Sequence, residues 1–314
     1  MDSQSATRPS LRQLQYFVAV ADHRGFGVAA AALAVSQPSL SKQLASMEMD
    51  LGVRLFERTS RSVKLTTVGE TLLPKARTIL QHVRELHVTA RGAMELFGNR
   101  LSIGVLPSIG AYFMPPASRT LHRLYPQLRL VVEEGSTSQL LGMLKEGRLD
   151  TVIGTPTNDP AYESVALFEE TLWACGAHDD DISKADGPLS LSELTGRPLL
   201  SLSAHFTLAE IVDRLADRCG AYVSRDYQGG SLDAVRQMAV MGAGVAVLPS
   251  LYALAEAVRD PEFTVRRIDH PDAIHPIVLL WRRGTAIDDH CRQLARHLVE
   301  VKGEIRAARG NRFH

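Results

Sequence analysis

The stretch Ser36-Gln37-Pro38-Ser39-Leu40-Ser41-Lys42-Gln43 gathers hydroxyls, amides and an ammonium in one short run. Side chains of these types hydrogen-bond base edges and phosphates. Ser36 suits a helix N-cap, and Pro38 is tolerated in a first turn because its missing N–H has no helical partner there. The free amides of a helix starting at this point favour a nearby phosphate. Further on, Arg54, Arg58, Arg61 and Lys64 surround a polar tip between two short extended pieces. That layout reads as a wing able to reach a nucleic-acid backbone or minor groove.

Other residues invite chemistry with less to support it. His178-Asp179-Asp180-Asp181 suits a cation or, equally, a solvated turn. His290-Cys291 lies on a helix without two further metal ligands at usable spacing. Gly242-x-Gly244 lacks the third glycine and the helix of a dinucleotide site. No Gly-x-Ser-x-Gly elbow is present. Cys175, Cys219 and Cys291 are too few and too scattered for a disulfide framework or a zinc site. Cys175 falls in the apolar run Leu172-Trp173-Ala174-Cys175, where a buried structural role is ordinary. Cys219, near Arg214 and Arg218, is the reactive candidate, but no resolving partner is evident. The sequence thus points to no catalytic constellation, no metal and no cofactor.

The elements that must position the polar run are three short helices. Residues 10–21 carry Leu11, Leu14, Phe17, Val18 and Ala21 at helical spacing behind Ser10. Phe26 to Ala34 forms an alanine-rich second helix, and the third runs to about Leu51 with Leu40, Leu44 and Met47 inward. A tight turn before the third helix gives a helix–turn–helix layout; a three-helix packing module with a solvated hairpin fits the same pattern. Net charge is zero over 314 residues, yet residues 1–92 hold 12 Lys and Arg against 7 Asp and Glu. The remainder holds 23 against 28, so a basic segment is joined to a mildly acidic one, as suits a chain with one part facing a polyanion.

From Thr67 to about Phe97, apolar residues including Leu72, Leu73, Ala76, Ile79, Leu80, Val83, Leu86, Val88, Ala90 and Met94 stripe a long helix interrupted by Pro74. A small winged domain offers too little surface to bury that stripe, so it packs against a second copy or its own C-terminal domain. Gly98-Asn99-Arg100 then reads as a hinge. Beyond it, strands and helices alternate: 101–106, 110–125, 128–133, 138–146, 150–154, 199–201, 207–219, 222–227, 231–241, 245–248, 277–281 and 287–301. Such alternation predicts a parallel α/β arrangement in two Rossmann-like lobes. Leu248-Pro249-Ser250 reads as a turn crossing between them. The longest fully apolar run, Val28 to Val35, is too short to span a bilayer, and the first ten residues lack the layout of a secretion signal, so the expected location is cytoplasmic.

Phe26-x-x-Ala29-Ala30-x-x-Leu33-x-Val35-Ser36-Gln37-Pro38-Ser39-Leu40-Ser41-x-Gln43-Leu44, then Leu51-Gly52-x-x-Leu55-Phe56-x-Arg58 and Leu65-Thr66-x-x-Gly69, closely resemble the signature of LysR-type transcriptional regulators. The resemblance implies double-stranded DNA as a partner, contacted by Ser36, Gln37, Pro38, Ser39, Ser41 and Lys42 from the recognition helix and by Arg58 and Arg61 from the wing. It further implies a homodimer through the long helix on a near-palindromic operator, association to a homotetramer, and RNA polymerase as a further partner. The effector domain would have the periplasmic-binding-protein fold. Ligands of open α/β sheets sit at strand C-termini or between lobes. That points to Pro107-Ser108-Ile109, Ser136-Thr137-Ser138, Ser203-Ala204-His205-Phe206 and Trp281-Arg282.

Within the family, Pro107-Ser108-x-Gly110-x-Tyr112, Gly147-x-Leu149-Asp150 and Ser231-Leu232 through Leu248-Pro249 are similar to the peroxide-sensing OxyR group. By that resemblance Ser108, Thr137, His205 and Arg282 match the peroxide pocket, while Phe206 stands where the reactive cysteine belongs. The expectation is therefore an α/β chain: a winged helix–turn–helix over 1–66, a linker helix over 67–98, an effector domain over 99–303 and a tail over 304–314. Lobe I would comprise 99–170 and 274–303, and lobe II 171–273. The leading reading is a DNA-binding regulator controlled by a small polar or anionic effector held by Ser108, Thr137, His205, Phe206 and Arg282. A redox-responsive regulator using the other cysteines is the alternative, and an α/β enzyme a distant third.

Overall fold

The computed structural model describes residues 9–58, 63–91, 96–260 and 262–309. These fall into two compact units, one ending near Ala90 and the other beginning at Arg91.

The first unit contains α1 (Leu11–His23), α2 (Phe26–Ala32), α3 (Gln37–Leu51), the hairpin β1 (Phe56–Arg58) and β2 (Val63–Leu65), and the long α4 (Thr67–Arg91). The starts of α1 and α3 are written locally. Ser10 and Gln13 form a reciprocal capping box on α1, and Ser36 Oγ accepts from the Ser39 N–H at the head of α3. Such caps contribute about 1 kcal/mol each. Gly52, in left-handed conformation (φ 67°), ends α3. Phe17, Leu40, Leu44, Leu55 and Phe56 form a dry core, with Phe17 and Phe56 edge to face at 5.6 Å. Fully burying a side chain of this size stabilises by about 2 kcal/mol. The stripe on α4 is divided: Leu73, Ala76 and Leu80 join this core, whereas Ile79 and Leu86 are exposed. Burial within the unit's own core thus takes up part of a stripe expected to need a partner. Pro74 lies inside α4 without ending it.

The second unit holds two lobes. Lobe I is built on β3 (Arg100–Val105), α5 (Pro107–Tyr112), α6 (Met114–Leu124), β4 (Arg129–Glu134), α7 (Thr137–Lys145) and β5 (Thr151–Gly154). The single helix expected over 110–125 is two helices. Met114-Pro115-Pro116 restarts the chain as α6, because proline suits a first turn and breaks a helix interior. Next comes β6 (Tyr162–Ala177), a strand of 16 residues, then the short β7 (Leu189–Ser190) and β8 (Pro198–Leu200). Lobe II continues with α8 (Thr207–Cys219), β9 (Tyr222–Val223), α9 (Leu232–Val240), β10 (Val245–Pro249), α10 (Ser250–Ala257) and β11 (Phe263–Asp269). The chain returns to lobe I through β12 (Ile274–Arg282) and α11 (Asp288–Arg309).

The sheet order is β4-β3-β5-β12-β6-β10-β8-β9, with β11 pairing β6 and β7. Parallel pairing holds for β3 with β4 and β5 and for β8 with β9 and β10, but β12 runs antiparallel to both β5 and β6, and β10 antiparallel to β6. The parallel arrangement expected for the lobes is therefore corrected to a mixed one. The reason is β6: residues 162–171 pair with β12 in lobe I, and residues 172–177 pair with β10 and β11 in lobe II. The passage between lobes is made there and at the β11–β12 connection. Leu248-Pro249-Ser250, expected to cross, is instead the junction of β10 and α10. The strand expected over 222–227 is shortened to two residues. Phe113, Leu279, Trp281 and Leu298 fill lobe I, and Leu199, Val212, Val235 and Val247 fill lobe II. α10 takes part in both cores, through Leu251 in the first and Tyr252 and Ala253 in the second.

Candidate functional site

In the first unit, the head of α3 presents Ser36, Gln37, Pro38, Ser39, Lys42 and Gln43 exposed, with Ser41 half-buried. Leu40, Leu44 and Met47 anchor the opposite face of the same helix in the core. Gln13 Nε2 donates to the Gln43 carbonyl at 3.3 Å, tying α1 across the helix. Glu48 Oε1 accepts from the backbone N–H groups of Leu55 and Phe56 at 2.7 and 3.2 Å, which fixes where the hairpin leaves α3. The polar face is thus held at fixed angle to the hairpin, as groove recognition requires. Arg58 ends β1, and Arg61 lies outside the described residues.

The expected effector residues are not gathered in one place. A small cavity, with room for about one water molecule, lies between the lobes. Leu106, Pro107 and Ser108 line it from the end of β3 and start of α5, and His275 from the start of β12. Leu202, Phe206, Thr207, Leu208, Leu232 and Pro249 line it from lobe II. Ser108 and Phe206 are therefore at the cavity. His205 is exposed and does not line it. Thr137 stands one step behind: its Oγ1 meets Thr155 Oγ1 at 2.9 Å, which in turn meets Thr207 Oγ1 at 3.0 Å. This row of hydroxyls joins the two lobes. Arg282 closes the far end of β12, paired in register with Tyr162, seven residues from His275 along an extended strand. That is about 23 Å, so Arg282 does not reach the cavity.

Sequence reasoning missed the residues behind the lining. Glu170 on β6 is fully buried. Its Oε2 accepts from Ser108 Oγ at 3.2 Å and its Oε1 from the Leu251 N–H at 3.0 Å. His275 Nδ1 lies 3.7 Å from the same carboxylate and has no hydrogen bond. The available signal was Glu169-Glu170 inside an otherwise apolar stretch and His275 heading an apolar strand; a lone polar residue there is read as a surface position until the strand is known to be flanked on both sides. Nearby, Tyr112 Oη donates to Glu256 Oε1 at 2.8 Å, and burial together with that carboxylate holds the phenol well above its usual range.

None of the three cysteines is joined in a disulfide. Cys175 is fully buried in β6, and burial pushes its thiol up. Cys291 is buried on α11 within the lobe I core. Cys219 is half-buried at the end of α8, its Sγ 3.6 Å from the Ala216 carbonyl. No group of three or more potential metal ligands occurs among the described residues, and none of their helices is long and apolar enough to cross a membrane.

Residues 11–70 match the bacterial regulatory helix-turn-helix of the lysR family, and residues 95–303 match the LysR substrate binding domain. The DNA-binding transcriptional dual regulator OxyR of Escherichia coli K12 is 34% identical over 287 residues, 91% of this chain and 93% of that protein. A full-length OxyR cysteine-to-aspartate variant from Pseudomonas aeruginosa superposes with a TM-score of 0.74 at 28% identity, covering 93% of this chain and 95% of that one. A cysteine-to-serine mutant of Corynebacterium glutamicum OxyR, solved with hydrogen peroxide bound, gives 0.65 at 30% identity with 97% of each chain covered.

Proposed function

This chain belongs to the LysR family of bacterial DNA-binding transcriptional regulators, and from that premise we propose that its DNA binding is controlled by a small molecule held between the two lobes of the effector domain rather than by a disulfide. The observation that carries this reading is the cavity itself, to which lobe I contributes Ser108 and His275 and lobe II contributes Phe206 and Thr207. A guest there touches both lobes, so its binding energy differs between their relative arrangements and shifts the population. Phe206, standing where the OxyR resemblance expects a reactive cysteine, supports a sensor without that thiol. The buried Cys175 and Cys291 point the same way, since attack on an oxidant requires an accessible thiolate.

In this reading α3 enters the major groove, with Gln37, Ser39, Ser41 and Lys42 facing base edges and phosphates beside Ser36 and Pro38, and Arg58 and Arg61 serve the wing. The exposed Ile79 and Leu86 of α4 form the seam of a homodimer, which addresses a near-palindromic operator. Tetramer formation and contact with RNA polymerase in the cytoplasm follow the family pattern.

A second reading is favoured by the relatives. Several, from Dickeya chrysanthemi to Haemophilus influenzae, are hydrogen peroxide-inducible genes activators at 31–34% identity over 91% of this chain. Their breadth of similarity supports a peroxide response. The peroxide-bound Corynebacterium relative carries a cysteine-to-serine change, so docking of peroxide on that scaffold does not require that cysteine. Operator selection from a random DNA library, followed by affinity measurement with and without peroxide, separates the two. If Cys175, Cys219 and Cys291 are all changed to Ser and the peroxide response disappears, the redox reading holds. An unchanged wild-type affinity under peroxide supports the small-molecule reading.

A further inference from the structure

Resting on the reading that α4 forms the dimer seam, we infer that Thr66 is a positioning residue that sets the operator half-site spacing this chain accepts. Leu55, at the base of the hairpin, is the point where three elements meet. On one side its N–H donates to Glu48 Oε1 of α3 at 2.7 Å, and the Phe56 N–H donates to the same oxygen at 3.2 Å. On the other side its carbonyl accepts from the Thr66 N–H at 3.0 Å. The Thr66 hydroxyl donates and accepts at once. Its Oγ1 donates to the Arg54 carbonyl at 2.7 Å and accepts from the Gly69 N–H at 3.0 Å. It thereby caps the first turn of α4 and ties that turn to the hairpin base. Gly69 brings the two backbones into contact, since a Cβ there would lie 2.3 Å from the Leu55 carbonyl oxygen. Only Thr66 lies between β2 and α4. Recognition helix, hairpin and dimer helix are thus joined through the main-chain groups of one residue.

Length turns this junction into a lever. A helix rises about 1.5 Å per residue, so the exposed Ile79 and Leu86 stand about 20 and 30 Å along α4 from Thr66. With the seam fixed there, a tilt of about 10° at Thr66 carries the recognition helix about 4–5 Å. One base pair added between half-sites moves them apart by about 3.4 Å and turns one against the other by about a tenth of a turn. A soft junction absorbs such a change. This one resists it, because tilting breaks the two bonds of the Thr66 hydroxyl. Further along the helix, Leu73, Ala76 and Leu80, buried in the same core, resist it too, as does Arg77, whose guanidinium donates to Asp22 near the end of α1. The hydroxyl therefore carries one share of the whole. A hydrogen bond of ordinary net strength is worth about fivefold in an equilibrium constant, and that is the share of spacing discrimination assigned to Thr66.

The test uses an operator selected by the full chain from a random DNA library, and the same duplex with one base pair inserted at, or removed from, its centre. Anisotropy titrations give the ratio of affinities for native and altered spacing. Thr66→Val, which keeps the shape and removes the hydroxyl, should lower that ratio about fivefold, and Thr66→Ser should restore it. The penalty for a base substitution inside one half-site should be the same in all three proteins, a separation that a general loss of structure does not produce. If the valine variant fails to fold, Glu48→Gln stands in: it keeps an acceptor for Leu55 and Phe56 without the charge, and should lower the ratio about threefold. A ratio unmoved by the variant tested overturns the inference. So does a serine variant that behaves like valine, or a base-substitution penalty that falls in parallel. Sedimentation of Ile79→Glu keeps the two readings apart. A dimer that survives removes the seam on α4, and the lever with it. A monomer, together with a ratio unmoved by Thr66→Val, leaves the seam standing and removes only the role of Thr66.

Discussion

Ser108 and Glu170 stand 62 residues apart in the chain, yet the serine hydroxyl donates to the glutamate Oε2 at 3.2 Å in a fully buried contact. The other carboxylate oxygen holds the backbone N–H of Leu251, the residue through which α10 enters the lobe I core. One carboxylate thus fastens three segments. Glu170→Ala strands two buried donors and should destabilise the effector domain by about 2–4 kcal/mol, whereas Glu170→Gln, which keeps an acceptor, should cost about 1 kcal/mol. Urea unfolding of the full chain measures both. Equal losses for the two variants would show that the side chain's volume matters rather than its hydrogen bonds.

On α4, Ile79 and Leu86 are 45% and 67% exposed while Leu73 and Ala76 are buried in the same helix. Ile79→Glu should therefore leave the winged unit folded and abolish dimerisation, and operator affinity should fall with it. Sedimentation velocity beside circular dichroism checks this. A dimer that survives the charge would move the interface elsewhere.

Gln37 and Lys42 are both exposed on α3 but differ in chemistry. Gln37→Ala should cost about 1–3 kcal/mol on the selected operator and little on unrelated DNA. Lys42→Ala should weaken both alike and lower the slope of log affinity against log salt by about 1. Anisotropy titrations across salt concentrations distinguish them, and identical behaviour of the two variants would remove the assignment of base reading to Gln37.

With Cys175 and Cys291 buried in different lobe cores, peroxide should form no stoichiometric intramolecular disulfide. Intact-mass spectrometry after treatment at physiological dose checks this. A Cys219–Cys175 crosslink accompanied by altered operator affinity would restore the redox sensor.

His290 packs against Phe97 with ring centroids 5.9 Å apart, and neither ring nitrogen has a hydrogen bond. Burial holds its pKa below the usual 6.5. The unfolded chain therefore binds a proton that the folded one resists, so stability is complete above about pH 6.5 and declines as pH falls below it. His290→Phe should flatten this part of the profile, and thermal unfolding between neutral and mildly acid pH reads it. A wild-type slope preserved in the variant would assign it to other groups.

The winged unit was legible because its signals are local: Ser10, Ser36 and Gly52 start and stop helices within a few residues of themselves. The effector lobes were legible as alternating elements but not as a sheet. Nothing near Tyr162–Ala177 announces that its two halves serve different lobes, since that depends on β10, β11 and β12 arriving from distant sequence. The cavity suffered most from this. Ser108 and Phe206 follow strand ends and could be found by that rule, whereas Glu170 and His275 belong to the interlobe strands themselves. Arg282 follows the same strand-end rule, but β12 runs antiparallel to β5, so its end points away from the cavity.

The position of β12 also bears on how the chain is made. It lies between β5 and β6, in the middle of the lobe I sheet, and only α11 follows it among the described elements. Lobe II is built from one continuous stretch and has all its strands once β11 has emerged from the ribosome. Lobe I has most of its strands synthesised early, yet β5 and β6 must wait for the strand that joins them. Chains truncated before Ile274 should accordingly leave the ribosome with lobe II competent to fold and lobe I open at its centre, its unpaired strands exposed to proteases and chaperones.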